Sequence, residues 1–113
     1  MATTITEKLI AQYRAAGSGA ATAFTASGAR YIVRRVSMNN NTGVSAFGDI
    51  WHDDDGTTYD DTTQIYGSQR VSPGETIDVN VFWPIADGGS IGVTATVSSA
   101  INFSFFGVEI VDG

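Results

Sequence analysis

From Ser72 to Val111 apolar and polar residues alternate in runs that turns interrupt. Ile77, Val79, Val81 and Trp83 fall on one side of a period-2 pattern, and Thr76, Asp78, Asn80 and Phe82 on the other. Ile91, Val93, Ala95 and Val97 repeat it against Gly92, Thr94, Thr96 and Ser98. Successive side chains of a strand point to opposite faces, so these runs predict antiparallel strands with one face on a core. The same reading extended upstream predicts seven strands: Thr22–Ala26, Arg30–Met38, Val44–Asp53, Thr57–Tyr66, Thr76–Trp83, Ser90–Val97 and Ile101–Val111. Pro73-Gly74 suits a type II turn and Asp55-Gly56 a tight type I′ hairpin. Asn39-Asn40-Asn41-Thr42-Gly43 and Asp87-Gly88-Gly89 supply further breaks. In the last strand Ile101, Phe103 and Phe105 alternate, then Phe106, Val108 and Ile110 take over, which predicts a bulge or bend near Phe105-Phe106-Gly107. The predicted fold is an all-β antiparallel sandwich, jelly-roll-like.

The first stretch has a different period. Thr4-Ile5-Thr6-Glu7 matches a capping box, Ile5, Leu9, Ile10 and Tyr13 follow at helical spacing, and Gly17 is a suitable stop. The expectation is a short amphipathic α-helix over residues 4–16, marginal alone in water and in need of a docking surface. Gly17-Ser18-Gly19-Ala20-Ala21 then reads as a hinge. This divides the chain into a helical arm and hinge, 1–19, and a sandwich domain, 20–113. The arm docks either on its own sandwich or on a neighbouring subunit.

Composition narrows the function classes. The chain has 113 residues, enough for one domain with a single core. Only 16% of residues are charged, a surface suited to packing against other proteins. The net charge of −6 disfavours direct nucleic-acid binding, which needs cations to neutralise phosphates. Without cysteine there are neither disulfides nor thiolate metal sites. No apolar run has the length of a membrane span, and the expectation is a chain without a signal peptide.

Little chemistry is on offer. Gly88-Gly89-Ser90-Ile91-Gly92 has the letters of a nucleophile elbow, but Ser90 opens a strand and the one histidine, His52, precedes it. Neither a catalytic set nor a cofactor motif can be assembled. Asp53-Asp54-Asp55-Gly56 invites a calcium reading, with Asp53, Asp55 and Asp60 as the candidate ligands. An EF-hand alignment fails, because Trp51 stands at the first ligand position and Thr62 at that of the bidentate Glu. Six of the twelve acidic residues lie between Asp49 and Asp61, so the bland reading is an acidic hairpin tip. Arg30, Arg34 and Arg35 put half the cations in one strand. Arg34 shares a face with Ile32 and Val36, which predicts an acidic partner for it in this fold or in another chain. Trp51, Tyr59, Tyr66, Phe82 and Trp83 raise the prospect of an aromatic platform for sugars or proteins; Trp83 is in phase with the core, and Phe82 is expected to be exposed. The candidate interface is therefore Ile5, Leu9, Ile10, Tyr13, Arg34, Arg35 and Phe82.

Three stretches carry a resemblance. Residues 30–40 (Arg30-Tyr31-Ile32-Val33-Arg34-Arg35-Val36-Ser37-Met38-Asn39-Asn40), Val71-Ser72-Pro73-Gly74-Glu75-Thr76-Ile77, and Asp87-Gly88-Gly89-Ser90-Ile91 with Phe106-Gly107-Val108-Glu109-Ile110 resemble small β-sandwich accessory proteins of tailed bacteriophages. The resemblance spans roughly residues 29–111 and brings no functional residue with it. It implies a non-enzymatic virion protein without cofactor, a head-decoration (cement) or tail-associated component. Its partners would be capsid or tail proteins and further copies of itself, as in a trimer, and its location the virion. The competing expectation is a carbohydrate-binding or adhesin module.

Overall fold

The computed structural model describes residues 3–15 and 19–112. Eight strands follow in chain order: β1 (Thr4–Arg14), β2 (Ala21–Thr25), β3 (Arg30–Asn40), β4 (Ala46–Asp53), β5 (Gln64–Val71), β6 (Thr76–Ile85), β7 (Ser90–Ala95) and β8 (Ile101–Val111). They form two antiparallel four-stranded sheets, ordered β1-β8-β3-β6 and β2-β7-β4-β5. Strand 1 thus pairs with 8, 2 with 7, 3 with 6 and 4 with 5, the order of an eight-stranded jelly roll.

The expected N-terminal helix is a strand. Residues Thr4–Arg14 form β1, paired along its length with β8 from Thr4↔Val111 to Arg14↔Asn102. The stretch therefore belongs to the sandwich, not to a separate arm; of the proposed hinge, Gly17 and Ser18 lie outside the described residues. A bulge produced the misleading spacing. Leu9 pairs with Phe106 and Ala11 with Phe105, leaving Ile10 as an extra residue that shifts the strand's phase. Ile5 and Leu9 stay on the outer face, while Ile10, Ala11 and Tyr13 pack against the core. The apparent helical stripe is two half-stripes on opposite faces.

Between the sheets lie the fully buried Phe103, Phe105, Met38, Ile50, Ile91 and Val33, with smaller residues around them. Ile77, Val79, Val81 and Trp83 pack against this core, as their alternation predicts. Asn40 is completely buried as well. Its amide donates to the carbonyls of Val44 and Val71, and its oxygen accepts from Thr42 N–H and Thr42 Oγ1, so every polar contact is met.

The turns divide. Gly74 has φ of 76° and Glu75 N–H bonds to the Ser72 carbonyl, as a type II turn requires. The tight hairpin at Asp55-Gly56 does not form; β5 begins only at Gln64, and residues 54–63 are a loop. Side chains there capture the backbone: Asp53 accepts from the N–H groups of Asp55 and Thr58, and Asp60 from that of Thr62.

The predicted irregularity near Phe105-Phe106-Gly107 exists, but its extra residues sit in the neighbouring strands. Opposite this point β1 has the extra Ile10 and β3 the extra Arg34. β6 has Val81 and Phe82 between the pairs Val33↔Trp83 and Arg35↔Asn80. A line of bulges therefore crosses the sheet.

Candidate interaction surface

The outer face of the β1-β8-β3-β6 sheet changes character at this line. By alternation from the inward Phe103, Phe105 and Met38, the outward residues toward one end are Gln12, Ser104, Ser37 and Asp78. Beyond the bulges, the outward residues are Ile5 and Leu9 on β1, Phe106 and Val108 on β8, Ile32 on β3, and Phe82 on β6. Phe82 is 66% exposed, Ile5 65% and Leu9 43%, whereas Val108 on the central strand is covered by its neighbours. Large apolar side chains spread across all four strands of a solvent-facing sheet are the mark of a contact surface.

Charge is laid out on this face in a fixed order. Arg34 and Arg35 on β3, Glu7 and Lys8 on β1, and Asn80 on β6 line one shallow groove, whose floor is Phe106, Gly107 and Val108. The Arg35 guanidinium stacks over the Phe106 ring, 4.9 Å from its centroid. Among the described residues neither Arg34 nor Arg35 forms an ion pair, whereas Arg30 meets Asp112 at 3.4 Å and Lys8 meets Glu109 at 3.6 Å. The bulge also breaks the expected grouping of Ile32, Arg34 and Val36, for Val36 is buried inside and Ile32 lies outside.

Five of the seven interface candidates from the sequence, Ile5, Leu9, Arg34, Arg35 and Phe82, share this face; Ile10 and Tyr13 pack on the core. Glu7, Ile32, Phe106 and Val108 complete the surface. In the sequence the change of phase at Phe106 reads as a bend alone, although the same change carries Phe106 and Val108 to the outer face.

Behind the face, Tyr31 is buried between the sheets, its ring edge-on to Phe24 at 4.8 Å. Its hydroxyl donates to Glu109 Oε2 at 2.7 Å. That bond, together with burial and the Glu109 charge, pushes the phenol up to about 12. Reciprocally, the Tyr31 hydrogen bond and the nearby Lys8 ammonium hold the Glu109 carboxyl below its usual range.

The other candidates lie apart from this face. Ser90 is buried and shares a 3.0 Å hydrogen bond with Thr25 Oγ1. Register pairs Ser90 with Asp53 and Ile91 with His52, so Ser90 and His52 project to opposite faces of their sheet. His52 Nε2 is buried without a hydrogen-bond partner, 3.9 Å from Asp54 Oδ1. Asp53 is buried, and hydrogen bonds from the Thr58 and Asp55 backbones lower its pKa. Those from the Thr62 hydroxyl and N–H do the same for Asp60. Among the described residues no group of three or more His, Asp or Glu side chains is placed to hold a metal ion. The aromatic residues are split between surfaces. The Tyr59 ring lies over Gly92 on the outer face of the other sheet, with Trp51 6.4 Å away, whereas Tyr66 and Trp83 pack on the core.

No protein-family model matches the chain, and no curated protein matches its sequence. Among solved structures, the fold is similar to a chain in the structure of infectious bursal disease virus, Gx strain. The TM-score is 0.51 at 12% identity, over 96% of this chain and 31% of that one. A chain in the structure of the Gt strain aligns with a TM-score of 0.49 at 11% identity, over 96% of this chain and 32% of that one. The protein thus spans about a third of the length of the chains it matches. At this identity the likeness is one of fold.

Proposed function

We propose that the protein is a non-enzymatic structural component of a virus particle, of the bacteriophage accessory kind, which decorates or stabilises the assembled head or tail as an oligomer. The observation that carries this reading is an eight-stranded jelly roll with an exposed apolar face on its β1-β8-β3-β6 sheet. Jelly rolls build viral capsid and lectin domains. The first of these uses is favoured by the fold likeness to a chain of a virus structure, which extends over 96% of this chain. The same side is favoured by the resemblance of residues 29–111 to phage accessory proteins. A lectin reading needs aromatic rings gathered on one open surface, and here Trp51 and Tyr59 lie on one sheet, Phe82 on the other.

Density-gradient purification of particles from the producing culture, with mass spectrometry of the band, tests the proposal. The chain should co-band with the major capsid protein in a constant ratio across preparations. Its recovery solely in the free-protein fraction would overturn the reading, and selective retention on a glycan array would replace it with the lectin one.

A further inference from the structure

We infer that the outer face of the β1-β8-β3-β6 sheet is a self-complementary interface, on which a second copy of this chain docks face to face about a two-fold axis running along β8. The charge layout carries the inference. β8 is flanked on one side by β1, with Glu7 and with Lys8, whose ammonium is taken up by Glu109 at 3.6 Å, and on the other by β3, with Arg34 and Arg35. A two-fold axis along β8, between two stacked faces, carries β1 of one copy over β3 of the other. Each Glu7 then meets the arginine pair of the opposite copy, twice per dimer, while Phe106 meets its own counterpart at the axis. Rotation about an axis across the strands would instead set Glu7 against Glu7 and arginines against arginines. The layout selects one of the two arrangements.

Other features agree. Arg34 and Arg35 have no ion pair among the described residues, so the opposing carboxylate meets free partners. The apolar residues of the overlapping strands, Ile5 and Leu9 on β1, Phe106 on β8 and Ile32 on β3, lie on the same half as these charges, where a dry centre is required. Three of the four strands are 11 residues long. At ~3.3 Å per residue and ~4.8 Å between strands, the three strands that overlap, β1, β8 and β3, cover roughly 500 Å² in projection, a small interface beside the ~800 Å² that each partner contributes to a standard one. Two sheets stacked in this way bury Ile5 and Leu9 without disturbing either core, while β6, with Phe82, lies beyond the overlap.

Charge reversal tests the geometry. By sedimentation at about 100 μM, where a dimer of micromolar Kd is almost filled, the native chain should be a dimer. E7R alone and R34E/R35E together should each be a folded monomer by circular dichroism, because each makes both contacts repulsive. An equimolar mixture of the two should recover a dimer containing one of each, because both contacts are again attractive. L9D, which leaves these charges in place, should also be monomeric. A native monomer, a native trimer, or a mixture that stays monomeric would overturn the inference. The dimer stands on the face itself and does not rest on the particle reading; sedimentation reports on the first and gradient co-banding on the second.

Discussion

The backbone carbonyl of Ile32 occupies the space that a β-carbon on Gly107 would need. This close approach of β3 to β8 lies where Ile10 and Arg34 bulge from the flanking strands, and the Ile10 side chain covers the same glycine. The clash is with backbone, which cannot swing aside as a side-chain tip can. Gly107→Ala should therefore cost about 3 kcal/mol, a melting midpoint lower by roughly 12 °C for a domain of this size. Gly43, with nothing near its hypothetical β-carbon and no positive φ, is the control. Gly43→Ala should change stability by no more than about 0.5 kcal/mol. Differential scanning calorimetry of both variants checks the pair.

The Tyr31–Glu109 bond ties stability to alkaline pH. With its pKa raised to about 12 from an ordinary value near 10, the Tyr31 phenol favours the folded state fully below about pH 10 and progressively less up to about pH 12. Thermal melts should fall through that window, and Tyr31→Phe should flatten the fall while lowering the midpoint by a few degrees at neutral pH. A variant that keeps the full alkaline fall would show that another group is responsible.

The acidic loop should be sensitive to protons and indifferent to calcium. Asp53 and Asp60 are held below the ordinary carboxylate pKa by hydrogen bonds to their ionised forms. Their stabilisation is complete above about pH 4 and is lost as pH falls through the lower folded values. Asp53→Ala should lower the melting midpoint by several degrees at pH 7 and leave less to lose on acidification. Because these carboxylates already accept N–H groups of Asp55, Thr58 and Thr62, millimolar calcium or chelator should leave the midpoint unmoved. A calcium-dependent rise would mean that the loop opens to bind the ion.

What was legible in the sequence follows from the range of the interactions involved. Strands β2 to β4 and β6 to β8 announce themselves because each has its own alternation, a property of a few neighbouring residues. Strand order is non-local, since Thr4 pairs with Val111, and no short pattern encodes it. β5 begins later than Asp55-Gly56 suggests, because Asp53 binds backbone five residues along, at Thr58, and Asp60 two along, at Thr62, which fixes a longer loop. Asn40 looked like one of several turn asparagines, yet it is a buried core residue whose four hydrogen bonds lie on other segments or around the following turn. On the outer face, Ile5 and Leu9 were singled out for a helix that does not form. They share a face with Arg34, Arg35 and Phe82 only because bulges in three strands align.

A helical arm would leave a folded β-rich monomer when removed. A strand cannot be removed so cheaply. β1 pairs with β8 over its whole length and covers the central strand that contributes Ile101, Phe103 and Phe105 to the core. Its loss would expose eleven residues of β8 backbone as a long new edge, unpair the Lys8–Glu109 contact and uncover the core beside Ala11 and Tyr13. An edge of that length beside exposed apolar side chains is prone to pair with other chains. A chain lacking residues 1–14 should therefore be insoluble, or lack a cooperative thermal transition. Loss of assembly alone, with the fold intact, is the separate expectation for Leu9→Asp. Circular dichroism and calorimetry of the two proteins side by side distinguish a structural strand from a docking arm; a truncated chain that melts cooperatively near the native midpoint would restore the arm.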